Sequence, residues 1–196
     1  MADIGSHAFD MLRFATGLTT QSVSCNLASF HPARPRDDYG HALIRCENGA
    51  WALITVSQIS HGRLNDLSLE VDGTKGSLSW RQESPDQLVL RRFGQAVVTY
   101  ERNRRAEGTS DNVRAACRLP GGHPEGFFEA LANVYRDSFD DMERRAAGLA
   151  IKPHDTIYAN VHDGVHVVRV TRQCVASSQA EGAWQPLFCS PDDNMP

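Results

Sequence analysis

Asp3 and His7 stand four residues apart at the entrance to a helical pattern, a spacing that can place both side chains on one face. A helix N-terminus disfavours an imidazolium, whereas a neighbouring carboxylate favours it and can fix the tautomer by accepting one ring N–H. Such a pair suits general-base chemistry near neutral pH. On the bare pattern a plainer reading stands beside it, with Asp3 capping the helix and His7 a satisfied, partly buried histidine. A second cluster, Ser57-Gln58-Ile59-Ser60-His61-Gly62-Arg63-Leu64-Asn65, ends a strand in amide, hydroxyl and guanidinium groups. These groups hold sugar hydroxyls, and they also make ordinary solvated turns. In the stretch from Leu119 to Phe127, Pro124 and Glu125 match the physics of a helix start. His123 is left on the turn, at a positively polarised helix end where a polar or anionic ligand can meet it. His162-Asp163-Gly164-Val165-His166 has a superficial likeness to a zinc helix. Asp is too short to replace the Glu of that motif, and Asp163 as N-cap would leave His162 outside the helix, so a capped helix start is the preferred reading.

The wider inventory excludes several chemistries. No Gly-x-Gly occurs in the 196 residues, nor a Gly-x-Ser-x-Gly elbow, a Walker loop or an EF-hand loop. Neither NAD nor ATP is therefore expected to bind this chain alone. With 20 Lys+Arg against 24 Asp+Glu, the net charge of -4 gives no electrostatic reason to expect nucleic acid or an anionic membrane. The one dense basic stretch, Arg102 to Arg105, reads as a solvated surface run. Cys25, Cys46, Cys117, Cys174 and Cys189 are odd in number and widely spaced, which supports neither a disulfide framework nor a structural zinc site. Without an apolar span or a leader pattern in MADIGSHAFD, a cytoplasmic location is expected.

These residues need elements to position them. Phe9, Leu12 and Ala15 predict a helix over 8–15 that stops at Gly17. Strands are expected over 21–29, 39–46 and 50–60, the last two joined at Glu47-Asn48-Gly49 by the strongest short hairpin signal. Two further hairpins are expected, 66–71 with 77–80 around Gly73 to Gly76, and 87–92 with 96–100 around Gly94. A polar loop follows over 103–122, then a helix over 125–147 with Phe127, Leu131, Val134, Tyr135 and Met142 on one face. Residues 165–175 stay open between strand, from their valines, and helix, from Asp163 as a cap. Strands first and helices at the flanks predict an α+β fold, an open and mostly antiparallel sheet with helices on one face. One domain over 1–196 is expected, with a C-terminal tail from about residue 180.

Taken in order, the segments resemble the C-terminal domain of the Gfo/Idh/MocA family of NAD(P)-dependent oxidoreductases. The resemblance rests on Asp3-Ile4-Gly5-Ser6-His7 with Asp10, Glu47-Asn48-Gly49, Val56-Ser57-Gln58, Gly62-Arg63-Leu64-Asn65, Gly73-Thr74-Lys75-Gly76-Ser77-Leu78, Gly122-His123-Pro124-Glu125-Gly126-Phe127, Ala132-Asn133-Val134-Tyr135-Arg136 and Asp163-Gly164. It implies that His7 takes a proton from a sugar or polyol hydroxyl while Asp3 orients the imidazole, and that the hydride chemistry belongs to NAD or NADP in the full-length enzyme. His123, Gln58, Arg63 and Asn65 would be substrate contacts. It further implies a Rossmann domain, which is not expected within this chain and is expected as a separate partner, and a homodimer formed through the open sheet. The competing reading is a non-catalytic dimerising or sugar-binding module with a vestigial site.

Overall fold

The computed structural model describes residues 1–150 and 158–187. They fall into two compact units, Met1–Leu64 with the chain from Val161 onward, and Asn65–Asn160.

The first unit begins with α1 (Ile4–Thr16), which buries Phe9 and Leu12 and ends at Gly17. Gly17 adopts φ 66° and returns its N–H to Arg13 O at 2.8 Å, a left-handed stop that glycine makes at no steric cost. Three strands follow, β1 (Thr20–Ala28), β2 (Tyr39–Cys46) and β3 (Trp51–Ser57). The β2–β3 connection is the expected Glu47-Asn48-Gly49 turn, with φ of 62° at Asn48 and 77° at Gly49. Side chains alternate across this sheet. Val23, Cys25, Ala42, Ile44, Ile54 and Val56 face inward and form the core with Phe9, Leu12, Val170 and Cys174. Leu43, Trp51 and Leu53 stay exposed on the strands' other side.

The stretch left open between strand and helix is helical, α4 (Val161–Gln179). Nineteen residues make a helix long enough for its buried positions, Val170, Cys174 and Ser177, to recur at helical spacing, so tertiary packing overrides the β preference of its valines. Asp163 consequently lies inside the first turn rather than capping it. Residues from 180 are not a loose tail where they are described. Gln185–Pro186 form β8, which pairs antiparallel with β1 at Ser22 and Val23, and Leu187 is buried in the core. The sheet order is β3-β2-β1-β8. Cys189 and the tail from 188 lie outside the described residues.

The second unit holds an antiparallel sheet in the order β4-β5-β6-β7, formed by Ser68–Gly73, Gly76–Arg81, Gln87–Arg91 and Val98–Glu101. Gly76 has φ 150°, and a Cβ there would run into the carbonyl oxygen of Arg91 on β6. The polar stretch 103–122 contains an unexpected short helix, α2 (Asp111–Ala116), capped by Ser110. The long helix α3 (Phe127–Ala146) forms as expected, but its faces behave differently from the amphipathic reading. Its polar residues do the docking: Asn133 donates to Ala116 O at 2.7 Å, and Arg136 donates to Ala115 O at 2.9 Å. The orphan carbonyls at the end of α2 supply the reason, because donors must reach them from elsewhere. Phe127, Leu131, Val134, Tyr135 and Met142 remain exposed.

Two open antiparallel sheets with flanking helices make this an α+β fold, as the pattern of elements implied. No helix among the described residues is long and apolar enough to cross a membrane.

Candidate functional site

The exposed side of α1 carries the first constellation. Asp3 sits at the N-cap position with helical dihedrals, and its carboxylate caps nothing on α1. It accepts instead from Gln58 Nε2 at 3.0 Å. Gln58 follows β3 directly, its backbone N–H held by Asp38 O at 2.8 Å. The structure thus joins two residues that are 55 positions apart and that were singled out separately. His7 lies one turn further along α1 and is exposed. The expected hydrogen bond from the His7 ring to the Asp3 carboxylate is not formed; Asp3 Oδ2 accepts from the Gln58 amide instead. Asp3 and His7 remain four residues apart at the start of α1.

A third member was missed in the sequence. Arg34 Nη1 donates to Gln58 Oε1 at 3.1 Å. An amide has one oxygen and one NH2, so holding the oxygen toward Arg34 turns the NH2 toward Asp3. Arg34 is carried by the segment between β1 and β2, and that segment is pinned by Asp38. The buried Asp38 carboxylate accepts from the backbone N–H groups of Phe30 and His31, each at 2.9 Å. The Phe30 N–H holds the Asp38 carboxyl below the usual carboxylate range, against an opposing effect of burial, with help from His31 and Arg34. Only the run of Pro and Arg over 32–36 hints at this segment in the sequence, and composition alone does not show which arginine reaches Gln58.

Arg63 lies on the turn after β3, where its N–H donates to Ser60 O at 3.2 Å and Gly62 has φ 88°. Asn65 opens the second unit, its carbonyl accepting from Leu67 N at 3.0 Å. His123 also belongs to the second unit, with an exposed side chain on the turn before α3.

The His162 and His166 pair needs a correction of reasoning. Both residues lie within α4, four apart, so the argument that His162 stands outside the helix fails. What occupies this corner is an internal network. Thr20 Oγ1 meets His166 Nε2 at 3.1 Å, and Arg13 donates to Asp163 at 2.9 Å. Burial, then the charges of Arg13 and Arg169, push the His166 pKa down against the pull of Asp163. A ring kept neutral and bonded to a threonine serves packing between α1, β1 and α4.

A dinucleotide does not fit the one glycine-rich turn that leads into a long helix here. At the start of α3 the Gly126 N–H is taken by Glu129 Oε2 at 2.8 Å, and the Glu125 carboxylate is nearly buried beside it. Two carboxylates stand where a pyrophosphate would require donors.

Comparison with known proteins agrees with this architecture. Residues 1–79 match the family model described as GFO/IDH/MocA C-terminal domain. An oxidoreductase structure from Sinorhizobium meliloti superposes with TM-score 0.84 at 33% identity, covering 93% of this chain and 51% of that one. An inositol dehydrogenase homologue from Azotobacter vinelandii, in complex with NADH and myo-inositol, gives TM-score 0.82 at 30% identity, covering 94% and 48%. The uncharacterized oxidoreductase YfiI of Bacillus subtilis is 25% identical over 189 residues, which is 94% of this chain and 47% of the relative. The chain spans about half the length of each of these three relatives.

Proposed function

We propose that this chain, whose residues 1–79 match the GFO/IDH/MocA C-terminal domain model, is the substrate-holding, catalytic-base half of an NAD(P)-dependent sugar or polyol dehydrogenase. The observation that carries the reading is the hydrogen-bonded line Arg34–Gln58–Asp3 beside the exposed His7. It sets an amide, a guanidinium and a carboxylate at fixed spacing next to an imidazole, and these are groups that bind hydroxyls and take a proton from one of them. The myo-inositol held by the A. vinelandii homologue supports a polyol as the ligand class. In this reading His7 accepts the hydroxyl proton and Asp3 stabilises the resulting imidazolium. Gln58 and Arg63 contact the substrate in this reading, and Asn65 and His123, on the second unit, are proposed as polyol contacts in their own right. The nicotinamide that accepts the hydride in such an oxidation would be held outside this chain, whose own glycine-rich turn is closed to it.

A thermal-shift panel of sugars and polyols tests this. A ligand at 100 times its Kd adds about 2.7 kcal/mol, worth roughly 5–11 °C in a chain of this size. We expect at least one cyclic polyol, myo-inositol first, to raise the melting temperature of the wild-type chain, and Gln58→Leu to remove most of that rise. A flat response across the panel, or a full response in the variant, would count against the reading.

A second observation favours self-association through the open face of the β3-β2-β1-β8 sheet, whether or not the site is catalytic. Arg45 lies over the Trp184 ring, 4.1 Å from its centre, and 5.2 Å from the centre of Trp51, the two rings meeting edge to face, with Leu43 and Leu53 exposed. Cations held on aromatic faces and exposed leucines suit a homodimer interface. A sedimentation coefficient independent of concentration at the monomer value would speak against it.

A further inference from the structure

The turn that carries His123 contains Gly121 and Gly122, the latter at φ 83°, and closes on one backbone bond, His123 N–H to Pro120 O at 3.2 Å. Arg102 holds it from outside. Arg102 follows β7, and its N–H donates to Asp86 O at 2.8 Å. Its guanidinium donates from Nε to Asp86 Oδ1 at 2.6 Å and from Nη2 to the His123 carbonyl at 2.6 Å, while Nη1 pairs by charge alone with Glu125 Oε1 at 2.9 Å. The same Glu125 oxygen accepts the Leu119 N–H. The segment from Leu119 to Glu125 is thereby closed at both ends on one planar cation. The Arg102 side chain is 16% exposed and that of Glu125 is 7% exposed, so neither belongs to a solvated surface run, in contrast to the expectation for Arg102.

We propose that Arg102 is a positioning residue, setting the turn so that the exposed His123 imidazole meets a substrate hydroxyl. The inference rests on the reading of His123 as a polyol contact. Lysine cannot reproduce the fork, because its ammonium is one point of charge on a flexible stem, whereas the guanidinium reaches three separated oxygens at once. Burial opposes the charge, but the hydrogen bonds the guanidinium donates to Asp86 and Cys117 and the nearby carboxylates more than offset it, holding its pKa above the ordinary value.

The test uses the full chain as wild type, Arg102→Lys, Arg102→Met, His123→Gln and the Arg102→Lys/His123→Gln double variant, each checked for fold by circular dichroism. Two readouts are taken, the imidazole NMR signal of His123, assigned by its loss in His123→Gln, and myo-inositol affinity by calorimetry. In Arg102→Lys the His123 signal should move while those of His7 and His166 stay in place. Affinity should fall about tenfold, the size of one hydrogen bond at the upper end of its net worth. The double variant should bind no more weakly than His123→Gln alone, since Arg102 acts through His123. Additive losses in the double variant, or a His123 signal unmoved by either substitution at 102, would overturn the proposal. A wild-type chain that binds no polyol counts against the functional reading itself, and the His123 signal then decides the role of Arg102.

Discussion

The edge of β1 offers the sharpest energetic prediction. On the side facing β8, the strand is paired only at Ser22 and Val23, with Leu187 N–H adding a bond to Gln21 O at 2.8 Å. Beyond that point the strand's next two N–H groups on the same side have no strand to donate to, and unpaired edges are liabilities. Two successive serines of α4 take them: Cys25 N–H donates to Ser177 Oγ at 2.8 Å, and Leu27 N–H donates to Ser178 Oγ at 3.0 Å. Ser177 is fully buried and also donates to Ala183 O at 2.7 Å, tying the strand, the helix and the following turn together. Ser177→Ala strands the Cys25 N–H in the core, which costs about 1–3 kcal/mol, and removes the Ala183 bond, which costs about 1 more. We expect a loss of about 2–4 kcal/mol. Ser178→Ala, at a half-buried position where water can replace the hydroxyl, should lose about 1 kcal/mol or less. Urea unfolding in a Trp80→Phe background, where fluorescence reports Trp51 and Trp184 of the first unit, measures both. A Ser177→Ala loss under about 0.5 kcal/mol, or one no larger than that of Ser178→Ala, would refute the edge-capping argument.

Other expectations are more local. Gly76→Ala should cost at least about 2 kcal/mol in the β4-β5-β6-β7 sheet, from left-handed strain and collision with the Arg91 carbonyl, and should speed proteolysis between β5 and β6; unchanged protease resistance would contradict it. His166 has a folded-state pKa below its ordinary value of about 6.5, so the unfolded chain takes up a proton that the folded chain refuses. Stability contributed by the neutral ring is therefore complete above that value and is lost as pH falls below it. His166→Gln should flatten the slope of midpoint against pH between 7 and 5, and an unchanged slope would reject the assignment. Arg34→Met frees the Gln58 amide to rotate and should weaken the polyol response several-fold without changing the melting temperature of the unliganded chain by more than about 2 °C, as befits an exposed pair.

Local signals were legible where they were strong. The Gly17 stop, the Asn48-Gly49 turn and the alternation along β1 to β3 placed α1 and β1 to β3 within a residue or two, apart from the start of α1, four residues earlier than expected, and the three extra residues expected at the end of β3. The helix over 161–179 stayed ambiguous because β-branched valines favour a strand locally, and only its packing against β1 decides the matter. Long-range partnerships were the least visible. Asp3 and Gln58 each looked chemically interesting, yet nothing in sequence spacing reveals that the amide reaches the carboxylate, or that Arg34 orients the amide. Arg102 was misread for a related reason. A short basic run looks uniformly solvated until Asp86 and Glu125 are seen to converge on one of its members.

Whether His7 is the base is decided most directly by turnover. Joined to the half of the A. vinelandii inositol dehydrogenase homologue that this chain does not match, the chain should support NAD-dependent oxidation of myo-inositol. His7→Gln should lower kcat at least about 100-fold, the lower end of what a general base contributes, while Lys75→Gln at the β4–β5 turn leaves it unchanged. An active fusion whose kcat is indifferent to His7→Gln would contradict the account.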